Sequence, residues 1–275
     1  MNLLDGKVAI ITGSGRGIGR KAALMFAEQG ASIVIHDLDQ DAAEEATSAI
    51  KEIGGKAAFC LGDVTAADVP KKIVQTAIDE FGQLDILVNN AGYTWDAMVE
   101  KMTDEQWYGM IDVHATAPFH MIQAASPYMK AAAKEELKSG NVSYHRKIVN
   151  VTSMAGVTGN VGQANYSTAK AGLVGLTKSM AKEWARYRIN VNVVAYGLVD
   201  TRLTGEKEAG VTLERYGKKV EAGIPKKVRD MFIGRMPFER GATVEEAAAP
   251  ILFFASPWAD FISGHCLNVN GGSWM

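Results

Sequence analysis

Short runs of apolar and β-branched residues alternate along this chain with longer segments whose apolar residues recur at helical spacing. The strand-like runs occupy 7–12, 32–37, 57–61, 85–90, 147–153, 189–195 and 266–270. Helical patterns cover 18–29, 41–53, 66–80, 104–134, 165–186 and 244–255. Several strands are almost entirely apolar, which is typical of a parallel sheet covered by helices on both faces. The alternation predicts an α/β fold with a doubly wound parallel sheet.

Two segments interrupt this alternation. Residues 135–146 are polar and turn-rich, and we expect them to form an exposed loop. Residues 202–240 form a long stretch with many glycines, in which 225–233 has a helical pattern. In a doubly wound sheet, a segment that leaves the carboxyl end of a strand lies beside the ligand crevice. We therefore predict one domain over 1–275, with a substrate lid at about 202–240.

Composition excludes several classes of protein. The chain has 275 residues, of which 47% are hydrophobic, and this is enough for one large core. The net charge of -2 provides no basic field for nucleic acid. Cys60 and Cys266 lie in apolar runs, so we expect buried thiols and no disulfide or metal site. Without a signal peptide or an apolar run near the ~20 residues that span a bilayer, we expect a cytoplasmic protein that binds no membrane.

The candidate chemistry is concentrated in one stretch around a tyrosine and a lysine. Tyr166 and Lys170 are four residues apart in a predicted helix, so they share one helix face. A nearby ammonium favours the phenolate and lowers a tyrosine pKa from its usual ~10. Ser153 ends the preceding predicted strand, where its hydroxyl can bond a substrate oxygen. The three residues predict a proton-transfer site for a carbonyl/alcohol couple.

A glycine-rich turn follows the first predicted strand. It reads TGSGRGIGR at 12–20 and opens the first predicted helix. Its small residues let the backbone approach a pyrophosphate and let the helix pack closely on the strand. The candidate nucleotide-binding residues in this turn are Gly13, Arg16, Gly17, Ile18 and Gly19.

Asp37 ends the second predicted strand and bears on the choice of cofactor. A carboxylate there accepts hydrogen bonds from the adenine ribose, which favours NAD and repels the extra phosphate of NADP. Arg16 favours NADP instead, since its guanidinium can pair with a 2′-phosphate. Asp37 can instead be a turn residue or a helix cap, a role that Asp39 serves equally well. We give Asp37 more weight and expect NAD, with NADP the less favoured cofactor.

Four ordered segments of the chain resemble the short-chain dehydrogenase/reductase family. They are TGSGRGIG, NNAG at 89–92, YSTAK at 166–170 with Ser153 upstream, and GLVDT at 197–201. The resemblance extends from Lys7 to the C-terminal NVNGGSWM, and KIVNVTSMAG and VNGG resemble the 3-oxoacyl-(acyl carrier protein) reductases of this family. It implies a single Rossmann-type domain with a seven-stranded parallel sheet, a nicotinamide cofactor, chemistry without a metal, and commonly a homotetramer.

The resemblance also implies a role for each site residue. Tyr166 would be the general acid/base, Lys170 would bind the nicotinamide ribose, and Ser153 would orient the substrate carbonyl. Further cofactor contacts would come from Asp63 and Val64 beside the adenine, from Asn90, Ala91 and Gly92 along the groove, and from Val199 and Thr201 at the nicotinamide carboxamide.

The sequence departs from the family pattern at two positions. Many members have an asparagine where this chain has His114, and that asparagine is thought to hold a water that links the lysine to solvent. A histidine also donates and accepts hydrogen bonds, so His114 is either a catalytic relay or a plain helix residue. Tyr196 replaces the usual proline before Gly197, and we expect it to pack in the core.

The residues and the resemblance together predict an NAD(H)-dependent oxidoreductase that interconverts a secondary alcohol and a ketone. A 3-hydroxyacyl thioester and a cyclic alcohol are candidate substrates, and the alternative within the family is an NADPH-dependent 3-oxoacyl-(acyl carrier protein) reductase. Alternatives of other classes are a catalytically silent nucleotide-binding subunit and a methyltransferase. Lysines and arginines of the lid can meet a phosphopantetheine phosphate or face solvent. We expect a homo-oligomer, with a tetramer favoured.

Overall fold

A computed structural model describes residues 2–140, 142, 144–215 and 218–274. Seven strands form one parallel sheet in the order β3-β2-β1-β4-β5-β6-β9, and β7 and β8 form a separate antiparallel hairpin. In chain order the strands are β1 (Val8–Thr12), β2 (Ser32–Asp37), β3 (Lys56–Leu61), β4 (Ile86–Asn89), β5 (Lys147–Ser153), β6 (Asn190–Tyr196), β7 (Thr212–Arg215), β8 (Lys218–Glu221) and β9 (Cys266–Val269). The predicted seven-stranded parallel sheet is confirmed.

Helices cover both faces of the sheet, as the apolar strands require. They are α1 (Gly17–Glu28), α2 (Gln40–Glu52), α3 (Val69–Phe81), α4 (Asp104–Ile111), α5 (Ala117–Ser139), α6 (Ala155–Thr158), α7 (Ala164–Trp184), α8 (Lys226–Ile233) and α9 (Val244–Ala255). Residues of α1, α2 and α9 belong to the apolar core on one face, and residues of α3, α5 and α7 to the core on the other. The arrangement is the predicted doubly wound, Rossmann-type fold.

The strand order fixes where a ligand binds. From β1 the chain builds outward to β3 on one side, and it then returns to place β4 on the other side of β1. In open α/β sheets, ligands bind at the carboxyl ends of the strands where the order reverses. This places the crevice at the carboxyl ends of β1 and β4, directly above the glycine-rich turn that follows Thr12.

The prediction of a single helix over 104–134 is wrong in two respects. It is divided into α4 and α5 by a π-helical turn, Asp112–Thr116, and α5 extends to Ser139 before Gly140 ends it in the left-handed conformation. The first half of the segment predicted as a polar loop is therefore helix, because its glutamate, lysine and leucine residues are strong helix formers. π-Helical turns occur frequently at functional sites.

The prediction of buried thiols is only partly correct. Cys60 lies on β3 and Cys266 on β9, and both are half-buried free cysteines. These are the two edge strands of the sheet, so each lacks a neighbouring strand on one side. The β7–β8 hairpin within residues 202–240 was not predicted, whereas helix α8 in the same segment lies where the pattern placed it. Among the described residues, no helix is long and apolar enough to cross a membrane.

Candidate active site

The structure brings Ser153, Tyr166 and Lys170 together at the carboxyl end of β5. Ser153 is the last residue of this strand, and Tyr166 and Lys170 lie one turn apart near the start of α7. The Ser153 hydroxyl is hydrogen-bonded to Tyr166, and the Lys170 Nζ lies 5.6 Å from the centroid of the Tyr166 ring. A serine hydroxyl and a phenol hydroxyl therefore face the same space at the edge of the sheet.

The start of α7 is held by a buried asparagine and by β5. The Asn165 side chain donates to the Trp95 carbonyl at 3.1 Å and to the Gln106 carbonyl at 2.9 Å, and it accepts from the Tyr166 amide at 2.8 Å. The Thr152 hydroxyl of β5 donates to the Lys170 carbonyl at 2.8 Å. These contacts anchor the backbone on both sides of the tyrosine. The sequence had given no sign of Asn165.

Burial dominates the electrostatics of the tyrosine and the lysine. Burial raises the pKa of Tyr166 to about 12, although the hydrogen bond with Ser153 lowers it and the charge of Asp96 raises it further. Burial also lowers the pKa of Lys170 to about 7, and its ammonium donates to the Val151 carbonyl at 2.7 Å. The expectation that the lysine lowers the tyrosine pKa is therefore not met in this structure. The phenol stays protonated at neutral pH, which suits an acid.

His114 lies on the π-helical turn and contacts Tyr166. Its ring meets the Tyr166 ring edge-on, with the centroids 4.9 Å apart, and its Nε2 lies 2.7 Å from the Tyr93 carbonyl. Burial, followed by the charge of Lys170, lowers the pKa of His114 well below its usual value. The neutral ring must donate from Nε2, so Nδ1 is an acceptor, and it has no hydrogen-bond partner among the described residues.

Gly92 provides the space that His114 occupies. A Cβ added at Gly92 would lie 2.1 Å from the His114 Cε1. The NNAG segment was predicted to line the cofactor groove, and Gly92 is also what admits a ring at position 114. Asn90 connects the same segment to the glycine-rich turn, since its side-chain amide donates to the Thr12 carbonyl at 2.9 Å and to the Gly13 carbonyl at 3.1 Å.

Thr12 is a site residue that the sequence reasoning missed. Its hydroxyl accepts hydrogen bonds from the backbone amides of Asn90 and Ala91, both at 3.0 Å. The end of β4 is thereby fixed to the end of β1, which sets the width of the crevice between them. The strand pattern identified Thr12 only as the last residue of a strand, because its contacts depend on which strands are neighbours.

The glycine-rich turn has the shape that a dinucleotide diphosphate requires. A Cβ at Gly19 would lie 2.4 Å from the Gly13 carbonyl oxygen, so α1 packs directly against the turn. Arg16 gives α1 no side-chain cap, which leaves the first amides of the helix available to an anion. Across the cleft, the Thr201 Cγ2 lies 4.0 Å from the place of a Cβ at Gly17. The loop after β6 therefore lies against the glycine-rich turn, and the uncapped start of α1 fits the diphosphate of a dinucleotide.

At the end of β2, two aspartates divide the roles that the sequence left open. The Asp37 carboxylate accepts from the Gly15 amide at 3.0 Å and from the Asp39 amide at 3.1 Å. Asp39 caps α2 by accepting from the Ala42 amide, and it also forms an ion pair with Arg16 at 2.8 Å. The hydrogen bond from Arg16 lowers the pKa of Asp39. The cap is thus Asp39, and Asp37 stays beside the glycine-rich turn.

The remaining predicted cofactor residues lie around the same edge of the sheet. Asp63 accepts from the Thr65 amide and hydroxyl, at 2.9 and 2.7 Å, and Val64 is buried. Ile18 packs against the core beneath α1, and Val199 is buried and pairs with Ala242. Tyr196 is buried, and its hydroxyl donates to the Ala247 carbonyl, in agreement with the predicted packing role.

Comparisons with known proteins give the same family throughout. A family model described as short chain dehydrogenase matches residues 7–212. The 3-oxoacyl-[acyl-carrier-protein] reductase FabG of Thermotoga maritima is 36% identical over 98% of both chains, and an uncharacterized oxidoreductase of the same organism is 38% identical over 98% of both. The 3-oxoacyl-[acyl-carrier-protein] reductase of Synechocystis is 37% identical over 100% of both chains.

A solved structure agrees with these relatives. A short-chain dehydrogenase/reductase mutant from Serratia marcescens superposes with a TM-score of 0.83 at 30% identity, and the match covers 99% of this chain and 100% of that one. The family model covers more than half of the chain, and the curated relatives match it over nearly its whole length. The chain therefore belongs to the short-chain dehydrogenase/reductase family, whose members are oxidoreductases that use a nicotinamide cofactor to interconvert hydroxyl and carbonyl groups.

Proposed function

We propose that this protein interconverts 3-oxoacyl and 3-hydroxyacyl thioesters with NAD(H). The observation that carries the reaction type is the hydrogen-bonded pair of Ser153 and Tyr166 hydroxyls, which faces the crevice that the glycine-rich turn borders. The substrate class rests on the full-length similarity to proteins named 3-oxoacyl-[acyl-carrier-protein] reductase. A homotetramer remains a prediction from the family resemblance.

Each catalytic side chain has a distinct task in this proposal. The Ser153 hydroxyl donates a hydrogen bond to the substrate carbonyl oxygen and orients it. Tyr166, held as a phenol by burial, gives its proton to that oxygen as negative charge develops there. The bound cofactor supplies the hydride donor or acceptor. Lys170, with a pKa of about 7 and its Nζ 5.6 Å from the centroid of the tyrosine ring, supplies the proton that restores the phenol.

His114 completes the proton path in this proposal. Its Nδ1 is a buried acceptor without a partner among the described residues, and the charge of Lys170 acts on the ring. A neutral acceptor in this position can accept a hydrogen bond from the lysine ammonium through one water. We therefore assign His114 the relay role rather than that of a plain helix residue.

The two directions of the reaction should respond differently to pH. Oxidation requires the phenolate of Tyr166, whose pKa is about 12, so its rate should rise about tenfold per pH unit from about pH 6 to 9. Reduction should decline instead, since Lys170 loses its charge as the pH rises through about 7. Initial rates in both directions, at saturating cofactor, measure the two profiles. Oxidation rates that do not depend on pH would contradict the assigned base.

The choice of NAD over NADP rests on the two aspartates at the end of β2. Asp37 is fixed by two backbone amides beside the glycine-rich turn, and Asp39 engages the guanidinium of Arg16 in that turn. A 2′-phosphate at this place would meet a carboxylate and would find the arginine already paired. Like charges brought together in this way cost several kcal/mol.

A double substitution should reverse this preference. Asp37→Ser removes the repelling carboxylate, and Asp39→Ser frees Arg16 while it keeps a good helix cap. We expect the ratio of kcat/KM for NADPH to that for NADH to rise by about 10² or more, because each change contributes about 1–2 kcal/mol. Asp41→Ser, in the first turn of α2, is the matched control and should leave the ratio unchanged. A wild-type enzyme that already prefers NADPH would refute the assignment.

A substrate panel tests the proposed function as a whole. The panel contains a 3-oxoacyl-CoA, the same acyl group on acyl carrier protein, a cyclic ketone and a simple aliphatic ketone, each with NADH and with NADPH. We expect the two thioesters to give the highest kcat/KM. A cyclic ketone that exceeds both would overturn the substrate class. Tight NADH binding with no turnover on any member would support the silent-subunit alternative instead.

A further inference from the structure

One buried histidine lies outside the catalytic group and links two cofactor-binding loops. His36 is the penultimate residue of β2 and is only 2% exposed. Its Nδ1 lies 3.4 Å from the Gly13 amide nitrogen, and its Nε2 lies 3.0 Å from the Gly62 carbonyl oxygen. Gly13 begins the glycine-rich turn, and Gly62 begins the loop that carries Asp63 and Val64. The ring therefore spans the gap between the two loops that would hold the adenosine half of the cofactor.

Only one protonation state of this ring satisfies both contacts. The Gly62 carbonyl requires a donor, so Nε2 carries the proton, and the Gly13 amide requires an acceptor, so Nδ1 is bare. The backbone of the same residue reinforces the link, since the Ser14 amide donates to the His36 carbonyl at 2.9 Å and the His36 amide donates to the Ser14 hydroxyl at 3.2 Å. A protonated ring would direct a second N–H at the Gly13 N–H, and the bond would be lost.

We propose that His36 is a positioning residue for cofactor binding, which sets the distance between the glycine-rich turn and the Gly62–Val64 loop through these two hydrogen bonds. The inference rests on the proposed function only in assuming that a dinucleotide binds at these loops. It requires no particular substrate. Its consequence is a cofactor affinity that depends on the protonation of a residue that does not touch the reacting atoms.

Three substitutions separate the two bonds. His36→Phe keeps a ring of similar volume and removes both bonds. His36→Asn places an acceptor near the Nδ1 position toward Gly13, and His36→Gln places a donor near the Nε2 position toward Gly62. His265→Gln changes an exposed histidine next to β9 and serves as the control. NADH binding is followed by its fluorescence without substrate, and KM for NADH and kcat are measured with substrate.

We expect His36→Phe to raise the Kd and KM for NADH by about tenfold or more, because it leaves two backbone groups without a partner. The kcat at saturating NADH should stay within about twofold of the wild type. The Kd and KM for NADH of the asparagine and glutamine variants should lie between those of the wild type and those of His36→Phe. A lowered Tm with unchanged Kd in all three variants would overturn the proposal, since it would show a purely structural role. Should His36→Phe fail to fold, the asparagine and glutamine variants decide the question.

The pH dependence of NADH binding gives a second readout. The pKa of His36 is lowered from the usual 6.5, because burial outweighs the Gly62 hydrogen bond and the charges of Asp37 and Asp63, which raise it. Cys60, its neighbour on β3, has a thiol pKa that burial raises. The wild-type affinity should therefore be constant above pH 6.5 and weaken at lower pH. In His36→Asn, any remaining dependence belongs to the carboxylates. An identical profile in the wild type and this variant would contradict the proposal.

Discussion

Replacing Tyr166 by phenylalanine should abolish turnover while it leaves NADH binding within about twofold of the wild type. The change removes only the hydroxyl that exchanges a proton with the substrate oxygen, and it keeps the ring that packs against His114. General acid catalysis contributes about 10²–10⁴ in rate, and we expect a loss near the upper end because the same hydroxyl also orients the substrate. Initial rates of NADH consumption and NADH fluorescence measure the two effects.

Tyr128→Phe is the matched control for this experiment. It removes a partly exposed hydroxyl on α5 that bonds Gln75, and it should leave the rate unchanged. A Tyr166→Phe enzyme that keeps more than about a tenth of its activity would show that another group transfers the proton. Loss of NADH binding in that variant would show that the hydroxyl holds the cofactor rather than the reacting oxygen.

Substituting alanine for Gly19 should nearly eliminate cofactor binding. The added Cβ would lie 2.4 Å from the Gly13 carbonyl oxygen and 2.6 Å from the Asn90 side-chain nitrogen. Both atoms are fixed, since one belongs to the backbone and the other is bonded to Thr12 and Gly13. The start of α1 must move, which removes its amides from the diphosphate position. We expect the Kd for NADH to rise about 100-fold or more, and the free energy of unfolding to fall by about 1–3 kcal/mol.

Gly175→Ala provides the comparison for the glycine-rich turn. Gly175 is in α7, and a Cβ at this position would meet no atom within 4 Å, so the protein should be slightly stabilised without loss of binding. Calorimetry for NADH affinity and denaturant unfolding for stability distinguish the two variants. Unchanged NADH affinity in Gly19→Ala would mean that the dinucleotide does not lie on this turn.

Patterns of residues were sufficient to predict the sheet and the grouping of Ser153, Tyr166 and Lys170. Nearly continuous apolar runs identify strands that are buried on both faces, and the four-residue spacing of Tyr166 and Lys170 places them on one helix face. The strand order then brings Ser153 to the same edge. These features depend on local spacing and on the rule that parallel strands end together, so they are visible in the sequence.

Other features depend on neighbours that are distant in the sequence. The π-helical turn that holds His114 changes the hydrogen bonding of the backbone while the apolar pattern continues, so one long helix was predicted there. The pKa of Tyr166 is set by burial, which residue spacing does not report. The role of His36 is not visible in the sequence, because its partners at Gly13 and Gly62 come together only when β1, β2 and β3 pair.

The most direct test of the account follows a labelled hydride from the cofactor to the product. NADH in which deuterium replaces both hydrogens at C4 is incubated with the protein and a 3-oxoacyl-CoA. The product is analysed by mass spectrometry and NMR. We predict one deuterium on carbon 3 of a 3-hydroxyacyl-CoA, formed at a rate that Tyr166→Phe abolishes. A product without deuterium on that carbon, or one formed equally well by the phenylalanine variant, would contradict the central claim.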